Sequence, residues 1–228
     1  YRIDPERFFA DPTIATMAAL SGSKADAALD YEVVTGSAPT TPIQKWFFET
    51  ITVEPGHWNQ GRLLRLDPGL GSGEVNTGLV ALTRHHDALR LHIEPTPEGL
   101  QQVIPGVDAE APLRVVDLTE SSGALADREH AALDPAAGRL FRAILFVGPE
   151  ANHLLLLAHH LVVDAVSWGI IIEDLATLLS SPVGDRPLPG KSASVLGWAR
   201  GLQRWSTHAE TLADGRFWTD RPSPEAWA

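Results

Sequence analysis

Two long apolar runs in the second half of the sequence constrain the fold more than any other feature. Residues 140–148 and 153–163 are nearly continuous in apolar side chains. A strand with one face in water alternates apolar and polar residues, whereas a continuous apolar strand is covered on both faces. We therefore expect both runs to be central strands of a sheet that carries helices, as in an α/β fold.

The remaining pattern alternates between short strands and helices, and it contains no internal repeat. Period-two and period-3.6 spacing of apolar residues separates the two kinds of element. The further predicted strands are 61–66, 89–93, 101–104 and 113–117. The predicted helices are 12–20, 42–49, 73–87, 122–133, 165–179 and 194–212.

Composition excludes several classes of function. The chain has no cysteine, which rules out disulfides, cysteine nucleophiles and thiolate metal sites. The chain has 18 basic and 29 acidic residues, which gives a net charge of −11. Nucleic acid is therefore not an expected partner. No apolar run approaches the ~20 residues that span a membrane, and no signal peptide opens the chain. We expect no membrane association and a cytoplasmic location.

The chemistry is concentrated where the second apolar run meets the following helix. His159, His160 and Asp164 lie at this junction, which is an edge of the sheet that ligands can reach. Adjacent side chains of a strand point to opposite faces, so one histidine is expected to be catalytic and the other structural. Histidine suits a general base because it titrates near neutral pH. A buried Asp164 needs a cationic partner, for which Arg90 is the candidate.

These residues carry a family resemblance. His159, His160, Asp164, Ser167 and Trp168 resemble the His-His-x-x-x-Asp-Gly-x-Ser signature of condensation-type domains in nonribosomal peptide synthetases. The resemblance implies a chloramphenicol acetyltransferase-like lobe, an α/β fold whose mixed sheet has flanking helices. It also implies that the last arginine of 84–90, Arg90, pairs with the signature aspartate. Ala165 replaces the signature glycine, and its methyl group is expected to narrow the substrate channel or tilt the backbone.

Two other segments resemble epimerization domains in particular. Residues 41–48, Thr-Pro-Ile-Gln-Lys-Trp-Phe-Phe, resemble their opening motif, and 57–60, His-Trp-Asn-Gln, resemble the segment that follows it. The implied reaction removes the α-proton of a carrier-bound aminoacyl or peptidyl thioester and returns a proton to the opposite face. His160 would transfer the proton on one face of the α-carbon. The supporting residues would be His159, Asp164, Arg90, Ser167 and Trp168. A glutamate in a Glu-Gly-His-Gly-Arg-like motif, which this sequence lacks, would serve the other face.

The resemblance also predicts the domain organisation. Residues 1–22 resemble the last helices of a peptidyl carrier domain, 23–41 are a linker, and 42–228 are the N-terminal lobe of the epimerization domain. We expect a piece of a longer polypeptide from secondary-metabolite biosynthesis that does not epimerise by itself. The expected partners are the upstream carrier domain, the second lobe and a downstream condensation domain. The substrate would arrive on the carrier's 4′-phosphopantetheine, with no cofactor or metal bound by this chain.

The sequence leaves two alternatives open. One is a condensation domain, in which His160 assists amide-bond formation, although residues 41–48 argue against it. The other is a module that docks a carrier domain without catalysis. Among the remaining candidates, Ser167 is expected to cap a helix, and Trp198 and Trp205 to form a packing face. The pair His85–His86 is assigned neither a catalytic nor a metal-binding role.

Overall fold

The structure is a computed structural model that describes residues 11–20, 32–108, 111–118, 122–180, 188–191 and 193–219. The chain divides into two units. The smaller unit contains residues 1–31 and 189–192, and its described helix is α1 (Ile14–Leu20), within the predicted helix 12–20. The other residues of the predicted carrier-domain tail, 1–10 and 21–22, lie outside the described part of the chain.

The larger unit, 32–188 and 193–228, carries all the strands of the described residues. They are β1 (Gly36–Pro39), β2 (Asn59–Leu66), β3 (His92–Thr96), β4 (Gly99–Ile104), β5 (Leu113–Asp117), β6 (Phe141–Val147) and β7 (Asn152–His159). Its helices are α2 (Pro42–Thr50), α3 (Ser72–His85), α4 (Ser122–Ala131), α5 (Ala165–Leu179), α6 (Val195–Ser206) and α7 (Ala209–Thr219). Its described residues also contain two 3-10 helices, Pro55–His57 and Asp87–Arg90.

The main sheet has the strand order β2-β7-β6-β5. β5 runs parallel to β6 and the other pairs are antiparallel, so the predicted mixed sheet is confirmed. Leu154 and Leu156 of β7 pack into one apolar cluster with residues of α3 and α5. Leu155 and Leu157 pack into a second cluster on the opposite face, with Leu125 of α4. The two apolar runs therefore form central strands covered on both faces, as predicted.

Three predicted boundaries were wrong. The predicted linker 23–41 contains β1, which pairs with β4 in a second sheet of order β1-β4-β3. The predicted strand 89–93 is a 3-10 helix at Asp87–Arg90, followed by β3. The predicted helix 194–212 breaks between α6 and α7, where the Ser206 and Thr207 hydroxyls donate to carbonyls of the preceding turn and compete with helical bonding.

Membrane insertion has no support among the helices that the structure describes. None of them is both long enough and apolar enough to cross a bilayer.

Candidate active site

His159 is the last residue of β7 and is fully buried. Its Nδ1 accepts a hydrogen bond from the Leu161 backbone N–H at 3.1 Å, so this nitrogen carries no proton. Nε2 therefore carries the proton and donates to the Pro55 carbonyl at 2.7 Å. The ring also lies edge-on to Phe47, with centroids 5.4 Å apart. Both ring nitrogens are bonded within the protein, as expected for a structural residue.

Burial holds the pKa of His159 below its usual range, and the nearby His160 lowers it further, against the opposing effect of the Pro55 carbonyl. The unfolded chain takes up this proton near pH 6.5, and the folded chain only at lower pH. We therefore expect the free energy of unfolding to fall as pH drops below about 6.5, by up to ~1.4 kcal/mol per pH unit for this group. Urea unfolding at several pH values between 7.5 and 5.5 measures the slope of the unfolding free energy against pH.

The comparison for this pH prediction is a His159→Asn variant. The slope of unfolding free energy against pH should be shallower in the variant than in the wild type. His130, whose pKa burial also lowers, contributes in the same direction in both proteins. An equal slope in the two proteins would show that His159 is not the group responsible.

His160 follows β7 in a turn, and its side chain is exposed. Its backbone N–H donates to the Trp58 carbonyl at 2.8 Å, which continues the pairing between β7 and β2 by one residue. Its Nδ1 lies 2.9 Å from the Val163 carbonyl. A carbonyl can only accept, so Nδ1 carries the proton. In the neutral ring the lone pair is then on Nε2, which is the arrangement that a general base requires.

His160 borders a cleft of about 540 Å³. Its lining is mainly apolar and includes Trp46, Phe47, Trp58, His160, Leu161 and Trp198. Trp46, Trp58 and Trp198 keep 48%, 44% and 59% of their surface exposed. The prediction that Trp198 and Trp205 form a packing face was wrong for the described residues, because Trp205 is also 58% exposed. The cleft offers an apolar surface beside one basic nitrogen.

Asp164 is exposed, so the predicted burial of its carboxylate was wrong. It is the N-cap residue of α5, and its Oδ1 accepts from the Ser167 N–H and from the Ser167 hydroxyl, each at 2.7 Å. These two bonds from Ser167 are the main reason why its pKa lies below the usual range. Ser167 was predicted to cap the helix. Instead Asp164 is the capping residue, and Ser167 donates both hydrogen bonds to its carboxylate.

The predicted ion pair between Arg90 and Asp164 is not formed. Arg90 lies at the end of the 3-10 helix, where its guanidinium pairs with Asp87 at 3.0 Å. It also donates to the carbonyls of Val34 at 2.8 Å and Pro105 at 3.3 Å. Other partners thus satisfy both groups: the arginine joins the start of the unit to the segment after β4, and the aspartate caps a helix.

Replacing Asp164 by alanine is expected to lower the free energy of unfolding by about 1 kcal/mol, because two donors at the start of α5 lose their acceptor. Asp164→Asn keeps a capping oxygen and should cost less. Chemical denaturation of both variants measures the difference. A loss of about 3–5 kcal/mol in the alanine variant would instead indicate that a buried ion pair had been broken.

Trp168 anchors α5 to β2. It is 1% exposed, and its Nε1–H donates to Gln60 Oε1 at 2.8 Å. The guanidinium of Arg62, from the same strand as Gln60, lies 5.0 Å from the centre of the indole ring. Residues 57–60 resemble a family motif, but their pattern alone predicts no individual roles. In the structure Trp58 and Gln60 of this motif hold His160 and Trp168, respectively.

Ala165, which replaces the signature glycine, is the first residue of α5. Its backbone does not adopt the left-handed conformation that favours glycine, and its side chain is exposed. It does not line the cleft formed by the described residues around His160. The methyl group therefore neither strains the backbone nor narrows this cleft.

Comparisons with known proteins agree with this architecture. A family model described as the condensation domain matches residues 34–226. One of the linear gramicidin synthase proteins of Brevibacillus parabrevis is 36% identical over 228 residues, which cover 95% of this chain and 4% of that protein. Tyrocidine synthase 1 from the same organism is 31% identical over 198 residues, 83% of this chain and 18% of that protein. The chain thus spans only a small part of these relatives.

Solved structures show the same fold. The epimerization domain from the third module of tyrocidine synthetase B matches with a TM-score of 0.72 and 31% identity, over 84% of this chain and 46% of that one. The condensation domain from the monacolin K polyketide synthase matches with a TM-score of 0.66 and 17% identity, over 83% and 44% of the two chains. The predicted fold class, a chloramphenicol acetyltransferase-like lobe, is confirmed, and the chain belongs to the condensation domain family.

Proposed function

We propose that this chain is the N-terminal lobe of an epimerization domain in a nonribosomal peptide synthetase. Its reaction would convert the L- to the D-configuration at the α-carbon of an aminoacyl or peptidyl thioester. A peptidyl carrier domain upstream would present the thioester on 4′-phosphopantetheine, and a condensation domain downstream would accept the product. The product would be a secondary metabolite such as a peptide antibiotic.

The observation that carries this proposal is the state of His160. Its proton sits on Nδ1, where the Val163 carbonyl holds it, and Nε2 is free to accept another beside an apolar cleft. Nε2 would take the α-proton of the thioester, and the electron pair of the broken C–H bond would move into an enolate. The same nitrogen, once protonated, can return a proton in the reverse direction.

Inversion also requires a second proton donor on the opposite face of the α-carbon. The matched epimerization-domain structure is about twice as long as the matching part of this chain. We propose that a glutamate of the second lobe supplies that group, and that the 228-residue chain does not epimerise by itself. His159 would not act in the reaction, because both of its nitrogens are bonded within the protein.

A second candidate function is amide-bond formation, as in condensation domains. It is favoured by the description of the matching family model, which covers residues 34–226. In that reaction His160 would remove a proton from the attacking amine rather than from an α-carbon.

The two functions are separated by solvent exchange at the α-carbon. The intact domain is given an L-aminoacyl carrier domain in deuterium oxide, and the released amino acid is analysed by mass spectrometry and chiral chromatography. Epimerization predicts one deuterium at the α-carbon and a mixture of L- and D-isomers. Dipeptide formation without α-deuterium would support condensation instead. Neither product would support carrier docking without catalysis.

A further inference from the structure

His85, His86 and Asp174 lie outside the site described above, yet they form a cluster of metal-ligating side chains. One ligand atom from each lies within 4.8 Å of the other two, and this is the one such group of three among the residues that the structure describes. His85 and His86 come from the end of α3, and Asp174 comes from the middle of α5. No sequence pattern joins them, because 88 positions separate His86 from Asp174.

The helix end brings the two histidines together. His85 is the last residue of α3, and His86 leaves the helix with φ −92° and ψ 87°. Their rings consequently approach edge-to-face, with centroids 4.9 Å apart. Both are half-buried against α5, where His86 Nε2 lies 2.7 Å from Asp174 Oδ2. Adjacent histidines in a strand would diverge, whereas these converge on one carboxylate.

Asp174 supplies the second, independent observation. Its side chain is only 8% exposed, and among the described residues its ion-pair partner is His86. A buried carboxylate is costly unless a positive charge compensates it. A divalent cation between the carboxylate and the two imidazoles would provide that charge.

We propose that His85, His86 and Asp174 form a binding site for a divalent transition metal, with Zn²⁺ as the best match. Imidazole nitrogen favours Zn²⁺, Ni²⁺ and Cu²⁺, whereas Ca²⁺ and Mg²⁺ prefer oxygen ligands throughout. Zn²⁺ bonds of about 2.0–2.2 Å place tetrahedral ligands roughly 3.4 Å apart. On binding, the 2.7 Å contact between His86 Nε2 and Asp174 Oδ2 would therefore open slightly, and any longer separations in the cluster would shorten. Three protein ligands leave the fourth position to water.

The site would join α3 to α5 and so brace the helix that begins just after Asp164 and His160. Its role is thus structural support rather than chemistry, and it is independent of the reaction proposed for His160. A ligand that binds only the folded state raises its thermal midpoint. At a hundredfold excess of free Zn²⁺ over the dissociation constant, a rise of about 5–10 °C is expected for a chain of this size.

The test is calorimetric titration of the chelator-treated 228-residue chain with ZnCl₂. We expect one equivalent to bind with a micromolar or lower dissociation constant, and His85→Ala and Asp174→Asn each to weaken binding at least tenfold. Asp174→Asn keeps an oxygen that can accept from His86, so the fold is retained, and circular dichroism checks this. The matched control is His208→Ala, which removes an exposed histidine and should leave binding unchanged.

Cobalt provides a second measurement of the same site. Co²⁺ bound by nitrogen and oxygen ligands gives visible absorption bands, which should appear with one equivalent in the wild type and change in Asp174→Asn. Binding that is absent below millimolar Zn²⁺, or that is equal in the wild type and both site variants, would overturn the proposal.

Discussion

Replacing His160 by alanine in the intact domain should lower the rate of epimerization by about 10²- to 10⁴-fold, the usual contribution of a placed general base. Nε2 is the basic nitrogen at the cleft, and an alanine side chain has no atom that can accept a proton. Stability should change by only about 0.5 kcal/mol, since the side chain is exposed. The rate of deuterium incorporation at the α-carbon, with urea unfolding of the same variant, measures both quantities.

The neighbouring histidine provides the matched control. His159→Ala removes a fully buried ring, so it should destabilise the fold by several kcal/mol. Its effect on epimerization should therefore follow the loss of folded protein rather than the loss of a base. If His160→Ala epimerised at the wild-type rate, the assignment of the base to His160 would be wrong. If it also unfolded the domain, the exposed position of the ring would be in question.

The sequence predicted those parts of the fold that local patterns determine. β5 and α5 match their predicted bounds, 113–117 and 165–179, because each is a single periodic segment with a clear end. The central position of β6 and β7 followed from their apolar runs, since only strands covered on both faces can be apolar throughout. Strand alternation also predicted that His159 and His160 point to opposite faces, and in the structure His159 is buried whereas His160 is exposed.

Predictions that required knowledge of distant contacts failed. Arg90 was paired with Asp164 because a buried aspartate needs a cation and because the family resemblance implies the pair. Each residue instead finds a partner nearer in sequence: Asp87 for the arginine and Ser167 for the aspartate. An aspartate directly before a helix is itself a preferred N-cap residue, which a local interpretation could have used. The cluster of His86 with Asp174 depends on how α3 packs on α5, and no local pattern reveals that packing.

Replacing Trp168 by alanine is expected to cost about 3–5 kcal/mol of unfolding free energy, a large share of the roughly 5–15 kcal/mol typical of a domain. The ring is 1% exposed and belongs to the cluster that joins α3 and α5 to the sheet. Truncation leaves a cavity and removes the donor to Gln60. Urea unfolding of the 228-residue chain, followed by circular dichroism, measures the loss.

Two further tryptophan variants separate the sources of this cost. Trp168→Phe fills most of the cavity but leaves Gln60 Oε1 without its donor, which should cost about 1–3 kcal/mol. Trp198→Ala removes an indole that is 59% exposed and should cost about 0.5 kcal/mol. If Trp198→Ala lowered the free energy of unfolding as much as Trp168→Ala, the packing of α6 would contribute as much to stability as the burial of Trp168 in α5. The expected order places the stability of this region in the contact that Trp168 of α5 makes with Gln60 and Arg62 of β2.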